Sequence, residues 1–380
     1  AFHSRYMARL TLDRPIPENA FELGTDANWR YLCCKVDMGN IWFNGTCWVD
    51  LLNPDMVRAF IDCTYKPYAQ RYASRDRKIL RGIFTDEPQF NPRWPIDDAT
   101  PLPFSPIILD DFKDQHGYDL RDHLTSLYEN VNDQSPQVRL HYFTTLARRM
   151  EKSFTVQLAQ YCAEHDLTFT GHYNGEQTFI SVLQNVGNMM IQYRHMQQPG
   201  IDHLGLSFGN MPDIHAMRCL SSVANQYGQP RRLSEMFGIS GQNMTFEDRC
   251  WIAEGHAIMG INHICPHLTL YSLKGCRKRD YPPTISPQQP WWDFNRSAED
   301  RMARSAMLSS QGEYGAELLV IHPLESAYVE LANGSHGPQD KLDARFNDFM
   351  AVIKSLQNNH RDYDLGDEEI LSDIAAVEDG

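Results

Sequence analysis

The residues of this chain that could do chemistry are acidic side chains placed directly after short apolar segments. They are Asp86 and Glu87, then Glu176, Asp202 and Glu235. Two carboxylates that face each other across a cleft can hydrolyse a glycosidic bond, because one protonates the leaving oxygen while the other activates water or attacks the sugar. Any one of these acids alone is more simply explained as an exposed loop acid or a strand-end ion pair. Their recurrence at the same end of successive predicted strands favours a catalytic role.

Histidines accompany these acids. Of the 15 histidines, His172, His203, His263 and His267 fall near the same predicted strand ends. Such a set is typical of a metal-dependent hydrolase. However, Cys265-Pro266 lies between His263 and His267, and proline disfavours the helix that would put both imidazoles on one face. The more ordinary prediction is that these histidines hydrogen-bond to a substrate or to the neighbouring carboxylates.

Aromatic residues make up 11% of the chain, and several fall in predicted loops. They include Trp42-Phe43, Trp94, Tyr271 and Trp291-Trp292. Sugar rings stack on aromatic faces, so aromatics in such loops suit a saccharide site. Core packing is the ordinary role of each one alone. The pair Trp291-Trp292, in a proline-rich segment, is the exception that we expect at a sugar site.

The elements that must position these residues follow one pattern, in which short apolar segments alternate with long amphipathic stretches. This pattern predicts a parallel sheet with crossover helices. Both a (β/α)₈ barrel and a doubly wound sheet place catalytic groups after parallel strands. The chain contains neither GxGxxG nor GxxxxGK[ST], which favours the barrel. The predicted strands are residues 79–85, 167–171, 199–204, 232–237 and 261–267.

Five strands do not complete a barrel, and residues 1–50 are too few to supply the other three. We therefore expect an α/β, TIM-type (β/α)₈ barrel whose first strands precede Ala1. After Gly315, a strand at 316–321, a helix at 340–357 and a strand beginning at Tyr363 predict one βαβ unit. The predicted division is a catalytic barrel domain over residues 1–312 and the start of a second α/β domain over 313–380.

Several connecting elements have their own signals. Asn53-Pro54 begins a helix that Pro67 should break or kink. Ser135-Pro136 begins the longest helix, with apolar residues at three- and four-residue steps as far as Tyr161. Thr245 and Asp248 form a plausible capping box, with a helix to about Gly260. Residues 91–106 contain five prolines and are predicted to be an irregular surface loop.

Composition excludes several other functions. The chain has 380 residues and a formal net charge of −14, which disfavours nucleic acid as a partner. No run of 18 apolar residues exists, so no membrane span is predicted. The nine cysteines are scattered and odd in number, which disfavours a disulfide framework. No GxSxG elbow supports a nucleophilic serine. The cellular compartment stays open.

A set of segments resembles a known family of enzymes. These segments are similar to glycoside hydrolases of clostridial type that are related to the family 106 α-L-rhamnosidases, and the likeness covers about residues 20–330. The segments are residues 42–46 (WFNGT), 49–54 (VDLLNP), 82–88 (GIFTDEP), 171–173 (GHY), 199–202 (PGID), 233–238 (LSEMFG), 265–272 (CPHLTLYS), 278–283 (KRDYPP) and 289–292 (QPWW).

The resemblance implies a TIM-type barrel in which residues 79–85, 233–235 and 261–266 are the fourth, seventh and eighth strands. It implies that Glu87 and Glu235 are the catalytic pair. Family 106 enzymes are inverting and calcium-assisted, which makes Glu235 a candidate base, Glu87 a candidate acid and Glu176 a candidate metal or hydroxyl ligand. The region after residue 316 resembles a flavodoxin-like domain. No organic cofactor is expected.

The leading prediction is therefore a glycoside hydrolase that removes a terminal sugar, first of all an α-L-rhamnoside, from a plant or microbial oligosaccharide or polysaccharide. One rival is a retaining β-glycosidase of β-galactosidase type that uses the same two carboxylates. A second is a non-catalytic sugar-binding barrel, and a third is a metal-dependent hydrolase of another bond. The residues that we expect to contact the sugar are Asp86, His172, Asn174, Glu176, Asp202, His203, His267, Tyr271, Trp291 and Trp292.

Overall fold

The computed structural model describes residues 3–36, 39, 41–73, 80–90, 101–276, 281, 283–331 and 339–376. The strands of this part of the chain are β1 (Arg5–Thr11), β2 (Ala20–Thr25), β3 (Trp29–Lys35), β4 (Gly82–Thr85), β5 (Leu102–Phe104), β6 (Thr168–Gly171), β7 (Gln198–Leu204), β8 (Leu233–Gly238), β9 (His263–Pro266), β10 (Leu318–Ile321) and β11 (Tyr363–Gly366). The α-helices are α1 (Pro54–Phe60), α2 (Lys66–Tyr68), α3 (Ile107–His116), α4 (Ser135–Met150), α5 (Val156–Glu164), α6 (Phe179–Asn185), α7 (Met189–Tyr193), α8 (Met211–Gln226), α9 (Phe246–Ile258), α10 (Asn295–Ser309), α11 (Leu324–Glu330), α12 (Gln339–Asn358) and α13 (Glu368–Ile374).

The central element is a five-stranded parallel sheet in the order β4-β6-β7-β8-β9. The sheet is curled and forms a half-barrel. All five predicted strands are confirmed within a few residues, except that residue 79 lies outside the described residues. A closed eight-stranded barrel stays a prediction.

Glycine allows two of these strands to lie close together. Gly171, at the end of β6, has φ +119°, and a Cβ at this position would collide with the backbone of Thr85 in β4. Only glycine adopts this conformation without strain and leaves room for the neighbouring strand. The residues that follow the two strands, Asp86 and His172, are therefore adjacent.

A second, antiparallel sheet in the order β2-β3-β1-β5 was not predicted from the sequence. Its strand β5 lies within residues 91–106, so the prediction of an irregular surface loop is wrong for residues 102–104, while residues 91–100 lie outside the described residues. Leu102 and Phe104 are buried and pair with β1. Pro103 has no backbone N–H to donate. Because β5 is an edge strand, this missing donor does not interrupt pairing with any further strand.

The helix that begins with Pro54 is not broken at Pro67. It continues to Ala73 through two π-helical segments, Ile61–Tyr65 and Ala69–Ala73, which flank α2. Wider π-turns relax the i→i−4 bonding that proline cannot complete. The helix from Ser135 is confirmed and runs to Glu164 through a similar π-helical segment, Glu151–Thr155. The capping box of Thr245 and Asp248 is also confirmed.

The C-terminal βαβ unit is confirmed, because β10 and β11 pair in parallel and are connected through α11 and α12. It shares one hydrophobic core with the half-barrel. Tyr328 of α11 stacks on Phe143 of α4 at 5.5 Å between ring centroids, and its hydroxyl donates to the carbonyl of Gly187. The domain boundary at residue 312 and the flavodoxin-like character of this unit stay predictions.

Two further expectations concern the whole chain. All nine cysteines lie within the described residues, and each is a free thiol. Among the described residues, no helix is both long and apolar enough to cross a membrane.

Candidate active site

The carboxyl ends of the parallel strands bring most of the predicted site residues together. Asp202 of β7 is in register with Glu235 of β8, and Thr85 of β4 is in register with Gly171 of β6. Because β4 and β6 end side by side, Asp86 and His172 enter the space that Asp202 and Glu235 face. The result is a cluster of acids around one imidazole, which we call the carboxylate cluster: Asp86, Glu87, His172, Asp202 and Glu235.

His172 is the centre of the carboxylate cluster. Its side chain is only 2% exposed, with Nε2 3.3 Å from Asp86 Oδ1 and Nδ1 3.5 Å from Glu235 Oε2. Burial opposes protonation, but the adjacent Asp86 carboxylate and the charges of Glu176, Asp202 and Glu235 outweigh it and raise the pKa of His172 to about 9. His172 is therefore an imidazolium at neutral pH, held between carboxylates.

Two acids of the cluster are easier to protonate than usual. Burial raises the pKa of Glu235 to about 7 and that of Asp202 to about 6, while the positive charge of His172 partly offsets both shifts. Glu235 also lies beside His267, with 3.8 Å between Oε1 and the imidazole Nε2. A carboxyl group with a pKa near the working pH can exchange a proton with a reacting group.

Glu87 is also close to His172. Carboxylate oxygens of Glu87 and Asp202 and a ring nitrogen of His172 all lie within 4.8 Å of one another. The backbone of Glu87 has φ +46°, a left-handed conformation that is strained for a residue with a side chain. The segment after it is anchored, because the Trp48 indole donates to the carbonyl of Gln89 at 2.6 Å. Strain of this kind is common at sites where a side chain must point in one direction.

Glu176 forms hydrogen bonds that hold the backbone next to the cluster in place. It is 1% exposed and accepts three hydrogen bonds, from the Tyr173 N–H at 3.1 Å, the Tyr193 hydroxyl at 2.9 Å and the Asp202 N–H at 2.9 Å. Burial raises its pKa to about 7, and His172 and these donors lower it only in part. Glu176 thereby ties the turn after β6 to β7 and α7.

The described residues around Glu176 do not fit a calcium ion. Calcium takes about six to eight oxygen ligands, whereas both oxygens of this buried carboxylate already accept hydrogen bonds. The carboxylate cluster could offer Asp86, His172 and Glu235 to a metal ion. Calcium takes oxygen ligands, which the imidazole of His172 does not supply. The calcium prediction stays untested, and the donors around Glu176 argue against this residue as its ligand.

Some predicted residues do not face the carboxylate cluster. His203 follows Asp202 in β7, and successive side chains of a strand point to opposite faces. Its imidazole is buried on the helical face, 2.8 Å from the carbonyl of Ser207 and 4.8 Å from the His256 ring. The prediction that His203 contacts the sugar stays untested, and its imidazole lies on the face of β7 opposite to the carboxylate cluster.

The aromatic residues predicted at the sugar site do not converge as the acids do. Trp291 packs edge-on against Phe246 of α9 at 5.5 Å, and the Arg249 guanidinium lies 5.8 Å from the Trp291 ring. Trp292, like Trp291, is half-buried against the hydrophobic core. Tyr271 is 96% exposed. Trp291 and Trp292 therefore contact the core, whereas Tyr271 is exposed to solvent. Asn174 is half-buried in the turn after β6. Trp94 and the side chain of Trp42 lie outside the described residues.

Sequence reasoning missed two aromatic rings at the cluster. Phe84 of β4 lies edge-on to His172 at 5.5 Å, and Tyr281 lies 5.9 Å from His267. Phe84 is 38% exposed and Tyr281 is 44% exposed, so both rings are partly open to solvent. Tyr281 belongs to the KRDYPP segment that carries part of the family resemblance, and its position in that segment was the signal that could have found it.

Comparison with known proteins finds solved structures of similar fold but no related sequence. No protein-family model matches the chain, and no curated protein matches it. A rhamnosidase from Novosphingobium sp. PP1Y is similar in structure, with a TM-score of 0.61, 16% sequence identity and coverage of 93% of this chain. A cold-adapted beta-galactosidase from Rahnella sp. R3 is also similar, with a TM-score of 0.58, 10% identity and coverage of 84% of this chain.

The chain spans 33% of the rhamnosidase chain and 49% of the beta-galactosidase chain. At such low identity these similarities concern the fold alone. The fold is thus a curled parallel half-barrel similar to that of these two glycosidases. Membership of family 106 stays a prediction.

Proposed function

We propose that this protein is a glycoside hydrolase that removes a terminal sugar from a glycan, with an α-L-rhamnoside as the first substrate to test. One observation carries the proposal: acids from β4, β7 and β8 converge on one imidazole at the carboxyl edge of the curled sheet. This edge is where barrel enzymes build their active sites. The two structural neighbours support the class of enzyme, since both are named as glycosidases.

The proposed catalytic pair is Glu87 and Glu235. A general acid must hold its proton at the working pH, and burial raises the pKa of Glu235 to about 7. This makes Glu235 the better candidate for the acid, although the family resemblance implies that it is the base. Glu87, which is also close to His172, then activates water or attacks the anomeric carbon.

The remaining residues of the cluster would serve as binding groups. Asp202 and His267 can hydrogen-bond to sugar hydroxyls, because both lie beside the catalytic pair. The half-exposed rings of Phe84 and Tyr281 offer faces for the apolar side of a sugar. The imidazolium of His172 keeps the charge of the cluster from becoming strongly negative.

A retaining β-glycosidase is the second candidate, because the beta-galactosidase from Rahnella sp. R3 has a similar fold. The two candidates differ in the anomer that is released first. An inverting enzyme releases the opposite anomer directly, whereas a retaining enzyme forms a covalent glycosyl intermediate on its nucleophile and releases the same anomer.

The test uses the full chain with a panel of aryl glycosides that includes the α-L-rhamnoside and the β-D-galactoside. Glu235→Gln and Glu87→Gln are each expected to lower kcat by about 10²–10⁴-fold. The exposed Glu313→Gln is the matched control and should leave kcat unchanged. NMR of the first-released anomer distinguishes inversion from retention, and a parallel assay with chelator tests for calcium.

Each result has a definite meaning. Cleavage of another sugar with the same loss in both variants keeps the mechanism and changes the substrate. Binding of oligosaccharides without cleavage of any glycoside would refute the hydrolase and favour a non-catalytic sugar-binding protein. Full activity in Glu235→Gln would refute the assigned pair.

A further inference from the structure

A second group of reactive side chains lies outside the carboxylate cluster, between α8 and the end of β10. It consists of His215 and Cys219, one turn apart on α8, and His322, which follows β10. All three are buried, with exposures of 1%, 2% and 2%. The mechanism proposed above uses none of them.

The three donor atoms converge on one point. The two imidazole Nε2 atoms are 2.8 Å apart, and Cys219 Sγ lies 3.5 Å from His215 Nε2 and 3.8 Å from His322 Nε2. Metal bonds of about 2.0–2.1 Å to nitrogen and about 2.3 Å to sulfur, at tetrahedral angles, separate two nitrogens by about 3.3 Å and a nitrogen from a sulfur by about 3.5 Å. The two nitrogen–sulfur distances are close to those that one shared transition-metal ion requires, whereas the two imidazole nitrogens, now at hydrogen-bond distance, would have to separate by about 0.5 Å.

The surroundings favour a soft ion. Aromatic rings enclose both imidazoles at 5.2–5.6 Å, namely Phe179, Phe346 and Phe349. Among the described residues, no further histidine, cysteine, aspartate or glutamate joins the three donors.

We propose that His215, Cys219 and His322 bind one thiophilic transition-metal ion, Zn²⁺ or Cu⁺, through two imidazole nitrogens and a thiolate. Such ions prefer this donor set over the oxygen ligands that calcium or magnesium takes. Binding releases the proton of the Cys219 thiol, because only the thiolate coordinates. With Cu⁺ the site is neutral, whereas with Zn²⁺ it carries one positive charge that the nearby Asp367 and Glu176 carboxylates can offset.

The site would connect separate parts of the molecule. His215 and Cys219 belong to the helix that follows β7, and His322 belongs to the C-terminal βαβ unit. The ion would thus hold the βαβ unit against the half-barrel. Phe179, which contacts both imidazoles, comes three residues after Glu176, so the same ion would also support the turn beneath the carboxylate cluster.

The first experiment measures metal in the full chain. Protein expressed with added Zn²⁺ and washed with chelator should retain close to one equivalent of zinc by elemental analysis. Protein expressed with Co²⁺ should show thiolate-to-cobalt charge-transfer absorption, which reports a sulfur ligand directly. Copper found in place of zinc in protein from unsupplemented medium would identify Cu⁺ as the native ion at the same site.

Three variants locate the ion. Cys219→Ala should lose the metal and the charge-transfer absorption, whereas Cys162→Ala, which removes another fully buried thiol, should keep both. His172→Gln, in the carboxylate cluster, should also keep both, which separates this site from the proposed active site. Absence of retained metal and of the cobalt signal in the wild-type chain would overturn the proposal, as would equal metal retention in Cys219→Ala. The wild-type cobalt spectrum decides the matter even if a variant fails to fold.

Discussion

His172 controls the charge of the carboxylate cluster. Its imidazolium lies between Asp86 and Glu235, and its positive charge lowers the pKa values of Glu235 and Asp202. Without it, burial and mutual repulsion among the acids would act unopposed. Burial therefore favours the protonated form of Glu235, and the imidazolium of His172 limits how far its pKa rises.

Replacement of His172 by glutamine should shift the pH profile of hydrolysis. Loss of the imidazolium removes the charge that lowers the pKa of Glu235, so this pKa rises. If Glu235 is the general acid, the alkaline limb of kcat/KM moves to higher pH by about one unit or more. The measurement is a pH–rate profile on the best aryl glycoside.

His203→Gln is the matched control, because His203 lies on the opposite face of β7. Its profile should coincide with that of the wild type. An alkaline limb that stays in place or moves to lower pH in His172→Gln would contradict the assignment of Glu235 as the acid.

At the scale of single residues, strand-end position was a good guide to the site. The convergence of Asp86, Glu87, His172, Asp202 and Glu235 could be predicted because these residues stand at the carboxyl ends of short apolar segments, although β7 and β8 extend a few residues beyond Asp202 and Glu235. His203 lies apart from this cluster for a physical reason, since one more residue of extended chain turns a side chain to the other face. The core contacts of Trp291 depend on the tertiary position of α9, which no local pattern contains.

At the scale of elements, the turn after β6 positions the cluster. It begins with Gly171, whose lack of a side chain lets β4 and β6 approach, and it ends with Glu176, which accepts hydrogen bonds from β7 and α7. The turn therefore connects three neighbouring elements of the half-barrel. Two substitutions test the two ends of this turn separately.

Gly171→Ala should be strongly destabilising and should also lower activity. The new Cβ would both strain a backbone with φ +119° and collide with the backbone of Thr85. Gly205→Ala is the control, because Gly205 also has a positive φ, of +87°, but has open space around its Cβ position. Gly205→Ala should cost about 1–2 kcal/mol of unfolding free energy from backbone strain, and Gly171→Ala clearly more. Equal losses in denaturant unfolding would show that the contact between β4 and β6 is not tight.

At about pH 9, where Glu176 is ionised, Glu176→Gln should destabilise the protein by about 1–3 kcal/mol. The carboxylate oxygens face three donors, so the amide NH₂ of glutamine must point at one of them and leave it unpaired. The exposed Glu313→Gln should change the unfolding free energy by less than about 0.5 kcal/mol. A neutral effect of Glu176→Gln at about pH 9 would indicate that Glu176 still holds its proton at that pH and already donates to one neighbour.

At the scale of the whole molecule, the parallel sheet was predictable and the antiparallel sheet was not. The five parallel strands are short apolar segments with helices between them, so each carries its own local signal. The pairing of β1 with β5 joins residues about 100 positions apart, and Pro103 conceals the strand that completes it. The curl of the sheet brings acids from β4 and β8 together. This curl arises from the packing of the whole sheet, so no single sequence segment predicts it.

The stability of the whole molecule should be greatest slightly below neutral pH. Buried Glu176 and Glu235 have pKa values raised from 4.5 to about 7, so their contribution is complete below about pH 4.5 and is lost as the pH rises through 7. His172, raised from 6.5 to about 9, likewise loses its contribution as the pH rises from 6.5 through 9. Buried His215 and His256 have pKa values lowered to about 4 and about 3, so their contribution is lost as the pH falls below 6.5.

These opposite slopes predict a maximum of the unfolding free energy at about pH 6, with a fall of a few kcal/mol by about pH 9. Denaturant unfolding across this range measures the profile directly. Glu176→Gln should reduce the alkaline fall, because it removes one group that must ionise while buried, whereas Glu313→Gln should keep the wild-type profile. A stability that increases steadily from about pH 6 to about pH 9 would mean that the acids around His172 are ionised at low pH and that the cluster is far more open to water than its burial indicates.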